Sequence, residues 1–179
     1  MCFGCLGVLI LATSGFATEV PPLLEAKLTS KDELRGTFEQ TKTTAEGEKY
    51  VMRGFYHLRP GLDFTWKTLD PFETVFHATK EKYTYSNEDE SVTRLLKDMP
   101  SSERFTSLSE GDLSVFFKVF DALYKEENGR FFIKAKPKVR DLKVALERVE
   151  VEGTTDNWTL KAYFPNKTTF EIEFKDEIQ

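Results

Sequence analysis

The stretch HLRPGLDFTW, residues 57–66, decides the fold, because one predicted strand ends and another begins within it. Leu58 closes the alternation of the segment before it, and Phe64 and Trp66 alternate in the segment after it. Apolar residues that recur with a period of two are typical of half-buried β-strands. Proline cannot donate to a strand ladder, so the step Arg59-Pro60-Gly61 predicts a turn. The stretch therefore indicates a hairpin whose second strand is aromatic.

Period two governs most of the remaining chain and predicts about nine antiparallel strands joined by short turns. Five strands come in a row before residue 90, and four close the chain after residue 130. A sheet of that length should curl rather than stay flat, giving a barrel or a half-open barrel. The predicted strands cover residues 34–41, 50–58, 62–66, 72–78, 83–85, 131–135, 142–151, 158–164 and 170–174.

Three segments instead carry apolar residues at the spacing of one helical face. They lie at residues 20–28, 92–99 and 113–124. Amphipathic helices must bury their apolar stripes, and the concave side of the curled sheet offers the place. The predicted fold is mainly β (α+β), a half-open antiparallel β-barrel with a lid of about three amphipathic helices.

The N-terminal segment predicts export. Residues 1–17 carry no charge and contain the apolar run Leu6–Ala12, which is much shorter than a membrane span. Small residues precede Ala17, so we expect a signal peptide cleaved after about that residue, and one domain over residues 18–179. An uncleaved anchor is the alternative, since a positive n-region is missing. The expected location is the periplasm of a Gram-negative bacterium, and Cys2 and Cys5 would be removed with the signal.

Composition argues against several classes of function. A net charge of −5 and an isoelectric point near 5.3 do not favour a nucleic-acid partner, which needs clustered basic residues. His57 and His77 are the only histidines, so a metal site is not expected, and hydrolase and nucleotide-binding motifs are absent from the sequence. We predict no cofactor and no catalytic residue. An envelope enzyme that uses a carboxylate pair such as Asp63 and Glu73 is a weaker alternative.

The aromatic content points to the interior. Sixteen phenylalanines exceed what an ordinary small core requires. An interior between sheet and helices is either a solid core or an apolar ligand cavity, and composition leaves both open. The residues predicted to line a cavity are Phe38, Met52, Phe64, Trp66, Phe76, Leu95, Leu96, Met99, Leu113, Phe116, Phe117 and Phe120.

Arg59 is the candidate for control of such a cavity. A lone arginine at a strand end is usually a solvated charge or a weak surface ion pair. Held at the rim by Pro60, however, its five fixed donors could reach the unsatisfied carbonyls at a helix C-terminus. We therefore predict that Arg59 and Pro60 form a latch on the helical lid.

Three segments resemble the LolA family of periplasmic carriers that ferry lipoproteins to the outer membrane. They are LRGTFEQT at residues 34–41, LRPGLDFTW at 58–66 and DPFETVFHATKEKYTYSNED at 70–89. The resemblance covers roughly residues 20–175. It departs from the family in one extra residue between Arg59 and Trp66, and in the missing C-terminal strand after Phe174, which indicates a divergent carrier.

The resemblance implies a half-open barrel lidded by helices, an apolar cavity for acyl chains and no catalysis. Arg59 matches the arginine with which the family latches its lid, and Phe64 and Trp66 match its aromatic strand. Implied partners are a lipoprotein or other acylated lipid cargo, an inner-membrane releasing complex and an outer-membrane acceptor, with a monomer expected. A glycolipid or another acylated product is the alternative cargo, and a module with a fully packed interior is the alternative without cargo.

Overall fold

The computed structural model describes residues 33–59, 63–98 and 114–177. Within them the chain forms eleven strands of one antiparallel sheet, so the predicted β-rich fold class is confirmed. The strands are β1 (Leu34–Thr43), β2 (Lys49–Arg59), β3 (Asp63–Asp70), β4 (Thr74–Thr79), β5 (Lys82–Ser86), β6 (Ser91–Leu95), β7 (Phe120–Glu127), β8 (Arg130–Pro137), β9 (Arg148–Gly153), β10 (Asn157–Tyr163) and β11 (Thr169–Asp176).

The strand order is β6-β5-β4-β3-β2-β1-β11-β10-β9-β8-β7. The first and last strands therefore pair at the centre, and each half of the chain adds hairpins outwards. Phe38 of β1 stands opposite Phe174 of β11 at this junction. Within the described residues the sheet is open, not closed, and ends in two edges, β6 and β7.

Helices are fewer and shorter in the described residues than the sequence predicts. Two α-helices, α1 (Ser114–Val119) and α2 (Arg140–Ala145), accompany one 3-10 turn at Leu96–Asp98. A lid of three helices is not present in this part of the chain. The predicted helix at residues 20–28 lies outside the described residues, as do the candidate site residues Pro60, Met99 and Leu113. Of the helices that the structure describes, none is both long and apolar enough to cross a membrane.

The prediction of a helix at residues 92–99 is wrong. Asn87 nucleates a tight turn, since its side-chain oxygen accepts hydrogen bonds from the amides of Asp89 and Glu90. That turn brings the chain back onto β5, where Thr93 pairs with Thr84. The β-branched residues of β6 favour this extended pairing over a helix.

Two further boundaries differ from the prediction. One helix is predicted at 113–124, but α1 ends at Val119 and β7 begins at Phe120. The apolar residues of β7 also recur with a period of two, so this segment can pair with β8 as a strand. The predicted strand around Leu142–Leu146 is the helix α2, in which the Leu146 amide donates to the Leu142 carbonyl over 2.7 Å.

The strand register gives the sheet two chemically different faces. Tyr56 stands opposite Trp66, for example, while their neighbours His57 and Thr65 pair on the other side. We call the two sides the apolar face and the polar face. The apolar face includes Phe38, Tyr56, Phe64, Trp66, Phe76, Tyr83, Trp158, Leu160, Ile172 and Phe174. The polar face includes Arg35, Glu39, Arg53, His57, Lys67, His77, Glu150, Lys161, Glu171 and Lys175.

Candidate functional site

Aromatic rings cover the centre of the apolar face. The rings of Phe38 and Trp66 stack with centroids 3.9 Å apart, and Trp66 meets Phe174 edge-on at 6.0 Å. Phe174 in turn stacks on Trp158, with centroids 3.9 Å apart and planes only 9° from parallel. Tyr56 packs edge-on against Phe174 at 5.3 Å. This centre joins β1, β2, β3, β10 and β11 into one aromatic surface.

The aromatic surface continues towards the β6 edge. Phe64 lies 6.4 Å from Trp66, Phe76 lies 6.1 Å from Phe64, and Tyr83 lies 5.9 Å from Phe76. Most of these rings are half-buried rather than sealed inside a core. We call the run of rings from Tyr83 to Trp158 the aromatic ladder; its members are Tyr83, Phe76, Phe64, Trp66, Phe38, Phe174 and Trp158. It spans the sheet from β5 to β10.

Two buried glycines make room for the ladder. A side chain at Gly54 would meet the carbonyl oxygen of Lys67 at 1.9 Å and the ring of Phe38 at 2.9 Å. At Gly153 it would meet the Cβ of Trp158 at 2.6 Å, and the φ of +153° disfavours other residues in any case. These positions keep the backbone clear so that the rings can lie across it.

A second aromatic cluster lies near the β7 edge. Phe116 and Phe117 of α1 and Phe120 of β7 pack against a buried cluster, which consists of Ala122, Phe131, Ile133 and Ala135. Phe116 stacks on Phe120 with centroids 4.7 Å apart. Trp158 contacts this cluster and also belongs to the ladder, so the apolar face is continuous from one half of the sheet to the other.

Most predicted cavity residues in the described part lie on this face. Met52 is half-buried and shares the side of β2 that carries Tyr56. Leu96 is buried against Ala78 with Phe76 beside it. Leu95 is a correction: its side chain is 50% exposed and stands opposite Lys82, on the polar face. The cause is the strand conformation of β6, which turns adjacent residues to opposite sides.

A hydrogen-bonded polar cluster lies at the aromatic centre of the apolar face. The hydroxyl of Tyr56 and the indole N–H of Trp158 both donate to Oδ1 of Asp176, the latter over 3.4 Å. Burial, assisted by the hydrogen bond to Asp176, raises the pKa of Tyr56 far above its ordinary value. The hydroxyl therefore stays protonated and fixes the position of the ring.

Arg59 lies on the polar face among carboxylates. Its Nε donates to Glu33 over 3.3 Å, and its Nη1 lies 3.8 Å from Asp63. Its side chain is 56% exposed. Within the described residues its partners are these carboxylates and not helix carbonyls, which matches the surface ion pair considered from the sequence, and the latch stays a prediction.

Both histidines of the chain extend this cluster. His57 lies 2.9 Å from Glu33, and His77 lies 3.0 Å from Asp63. Hydrogen bonds from His57 and then Arg59 hold the pKa of Glu33 below its ordinary value. Three or more potential metal ligands do not come together anywhere in the described residues.

Two grooves open on the polar face. The larger, of about 460 Å³, lies over β7 to β10 and is bordered by Lys134, Glu150, Lys161 and Tyr163. Its charges are largely paired, for example Lys134 with Glu150 at 3.2 Å. The smaller, of about 340 Å³, lies beside Arg53 and reaches Phe38 between the strands. Neither is the apolar cavity predicted from the sequence, which stays a prediction.

Asp63 and Glu73, the carboxyl pair suggested by the sequence, do not lie together. Asp63 bonds His77, and Glu73 bonds Lys67 over 2.6 Å, towards opposite ends of the β3–β4 hairpin. Where a carboxyl pKa is displaced, as in Glu33 and Glu127, basic neighbours lower it. A general acid requires the opposite shift.

Comparison with solved structures finds chains that align over most of this one. The LolA superfamily protein NE2245 from Nitrosomonas europaea aligns with a TM-score of 0.44 at 6% identity, over 86% of this chain and 90% of that one. A structure from Vibrio parahaemolyticus, described as an outer membrane lipoprotein-sorting protein domain, aligns with a TM-score of 0.38 at 11% identity, over 84% and 88%. No protein-family profile and no curated protein matches this chain. Identities and TM-scores this low say nothing about cargo, partners or activity.

Several residues of the apolar face were missed as site residues. Trp158 and Phe174 sit at its centre, and Tyr56 is 6% exposed beneath them. Their period-two spacing was visible in the sequence. The missing information was the pairing of β1 with β11, which brings the last strands beside the first.

Proposed function

We propose that the protein is an exported carrier of lipoproteins or other acylated lipids, which shields acyl chains on its apolar face and delivers them towards the outer membrane. The observation that supports it is the aromatic ladder, which crosses an open sheet whose other face is charged; Phe38 and Phe174 are buried at its centre and the other five rings are half-buried. A solid core would bury all seven rings. A partly exposed aromatic surface instead suits the reversible binding of an acyl chain.

The proposal also accounts for release. Each methylene removed from water contributes roughly 0.8 kcal/mol, so complete burial of one long acyl chain would give about 10 kcal/mol. A carrier must bind less tightly than that. An open sheet with two edges contacts an acyl chain from one side and leaves part of it available to an acceptor.

The test uses the two tryptophans as reporters. Trp66 and Trp158 are the only tryptophans of the sequence, and they lie in different parts of the ladder. Trp66→Phe and Trp158→Phe each leave one indole, whose fluorescence a dibrominated fatty acid quenches on contact. We expect saturable quenching in both variants. Saturable binding that quenches neither indole would place the acyl chain elsewhere and reject the proposed face.

The cargo is a second question with its own measurement. Lipid extraction and mass spectrometry of protein purified from the periplasm should release triacylated peptides if the cargo is a lipoprotein, and glycolipid species if it is not. N-terminal sequencing of the same material tests the cleavage after Ala17. If no lipid co-purifies and no apolar dye binds, the packed-module alternative is favoured.

We further propose that Arg59 governs cargo release, as the family resemblance implies. Its exposed guanidinium lies beside Pro60 at the β2–β3 turn. The guanidinium N–H groups of Arg59 now pair with the carboxylates of Glu33 and Asp63. Carbonyls at a helix end would compete with these carboxylates for the same N–H donors.

A further inference from the structure

The β6 edge of the sheet differs from the β7 edge. All five residues of β6 are exposed, and only Arg94 among them is charged. Half of the eight residues of β7 are charged, which is one way in which proteins block pairing at a sheet edge. Three exposed apolar side chains, Tyr85, Val92 and Leu95, lie on β5 and β6. The β6 edge therefore has the composition of a strand that accepts a partner.

The hydrogen-bond pattern identifies the groups that β6 presents. The Asn87 amide donates to the Glu90 carbonyl, and the Leu96 amide donates to the Glu81 carbonyl. Antiparallel pairs alternate between bonded and non-bonded positions, so Val92 and Arg94 also bond towards β5. The amides and carbonyls of Ser91, Thr93 and Leu95 consequently point away from β5, along an edge that no other strand of the described residues covers.

We propose that β6 pairs with β6 of a second copy of this chain, antiparallel, about a two-fold axis at Val92. This proposal does not rest on the proposed function. In this register Ser91 of each copy forms a bonded pair with Thr93 of the other. Val92 meets its own counterpart in a non-bonded pair, where side chains approach most closely.

Charge complementarity selects this register. With Val92 on the axis, Arg94 of each copy lies opposite Glu90 of the other, which gives two ion pairs on the apolar face. An axis at Thr93 sets Arg94 opposite Val92, and an axis at Arg94 sets two arginines against each other. Of these three registers, only the first places a carboxylate opposite Arg94. Opposite charges that face each other across two strands stabilise the pairing, whereas like charges destabilise it.

Both apolar faces continue across the proposed interface. Tyr85 pairs with Val92 within each copy, and Tyr83 with Arg94. The two aromatic ladders would then end on either side of the axis and face the same way. The strand is short, so the contact is smaller than a stable interface of about 1,200 Å² or more. We therefore expect a reversible dimer that forms at high protein concentration.

The experiment is sedimentation velocity over a concentration series with charge-exchanged variants. Arg94→Glu and Glu90→Arg each set like charges opposite one another twice and should weaken the dimer about tenfold or more. The double exchange restores both ion pairs and should restore the dimer. A wild type that stays monomeric at all concentrations, while Arg94→Val dimerises, would show that Arg94 blocks the edge and would overturn the proposal.

A backbone test separates the edge from other surfaces. Thr93→Pro removes an amide that points away from β5, so it should abolish dimerisation without breaking the β5–β6 ladder. Thr93→Ala is the matched control, because it loses the same hydroxyl contact to Thr84 but keeps the amide. Equal dimerisation of the two variants would place the interface elsewhere.

Discussion

The ring of Phe38 on β1 stacks on the indole of Trp66 on β3, although β2 lies between their strands. The residue of β2 that stands opposite Phe38 is Gly54. Since glycine has no side chain, the two rings lean towards each other over the backbone of the intervening strand. The aromatic ladder therefore depends on a position that carries no side chain.

Gly54→Ala should lower the free energy of unfolding by about 1 to 3 kcal/mol, the usual cost of overpacking a filled site. The added carbon would meet both the Lys67 carbonyl and the Phe38 ring, so the strands or the stack must move. Urea denaturation measures the loss, and near-ultraviolet circular dichroism follows the indole. Thr37→Ala, on the exposed side of β1, is the control. Wild-type stability in Gly54→Ala would contradict this account of the stack.

Trp66→Leu should weaken binding of a long-chain fatty acid about tenfold, because it removes the ring contacts but keeps an apolar side chain. Isothermal titration or displacement of a fluorescent acyl probe gives the affinity. The control is Phe55→Leu, since Phe55 is 39% exposed on the polar face beside Lys67. Comparable losses in both variants would mean that aromatic content in general, and not the apolar face, determines binding.

The sequence predicts the sheet better than the helices, because the strand pattern can be read within each segment. In β1 the apolar alternation covers Leu34 to Phe38, in β2 it runs from Tyr50 to Leu58, and the turn predicted at Arg59-Pro60-Gly61 falls between the end of β2 and the start of β3. At residues 92–96 and 113–124 the apolar spacing fits a strand as well as a helix. In these segments the strand partner determines whether a strand or a helix forms. Thr84 is the partner of Thr93, and β8 is the partner of the strand that begins at Phe120. These partners lie on the neighbouring strand of a hairpin, so the apolar spacing within one segment does not reveal them.

The candidate site was predicted in part for the same reason. Phe38, Phe64, Trp66 and Phe76 lie on neighbouring strands that follow one another in the chain, so their common face can be inferred from period two. Trp158 joins them only because β11 pairs with β1. Glu33 lies before the first strand, and nothing in its sequence context indicates that it would bond Arg59.

Glu33→Gln should lower the stability of the fold at neutral pH and remove part of its dependence on acid. The pKa of Glu33 is lower in the folded chain than in the unfolded one. Its stabilising contribution is therefore present above the ordinary pKa of a glutamate, about 4.3, and is lost as the pH falls through the folded value. Urea midpoints of variant and wild type should differ at pH 7 and converge in acid. Glu88→Gln, in the exposed β5–β6 turn, controls for the loss of one charge.

Arg59→Leu should leave the stability nearly unchanged but slow the transfer of acyl cargo. Exposed ion pairs contribute only about 0 to 1 kcal/mol, so the pairs with Glu33 and Asp63 do not hold the fold together. Transfer of a fluorescent acyl probe from the protein to acceptor liposomes measures release.

Arg53→Leu is a close control for this change. Arg53 lies on the same strand and the same face, is 55% exposed, and bonds two carboxylates, Glu39 and Asp70. If only Arg59→Leu slows transfer, the effect belongs to the position at the β2–β3 turn. If both variants transfer at the wild-type rate, Arg59 has no part in release. If both are equally slow, the charge of the polar face is responsible, since the two arginines share strand, face, exposure and pairing with two carboxylates.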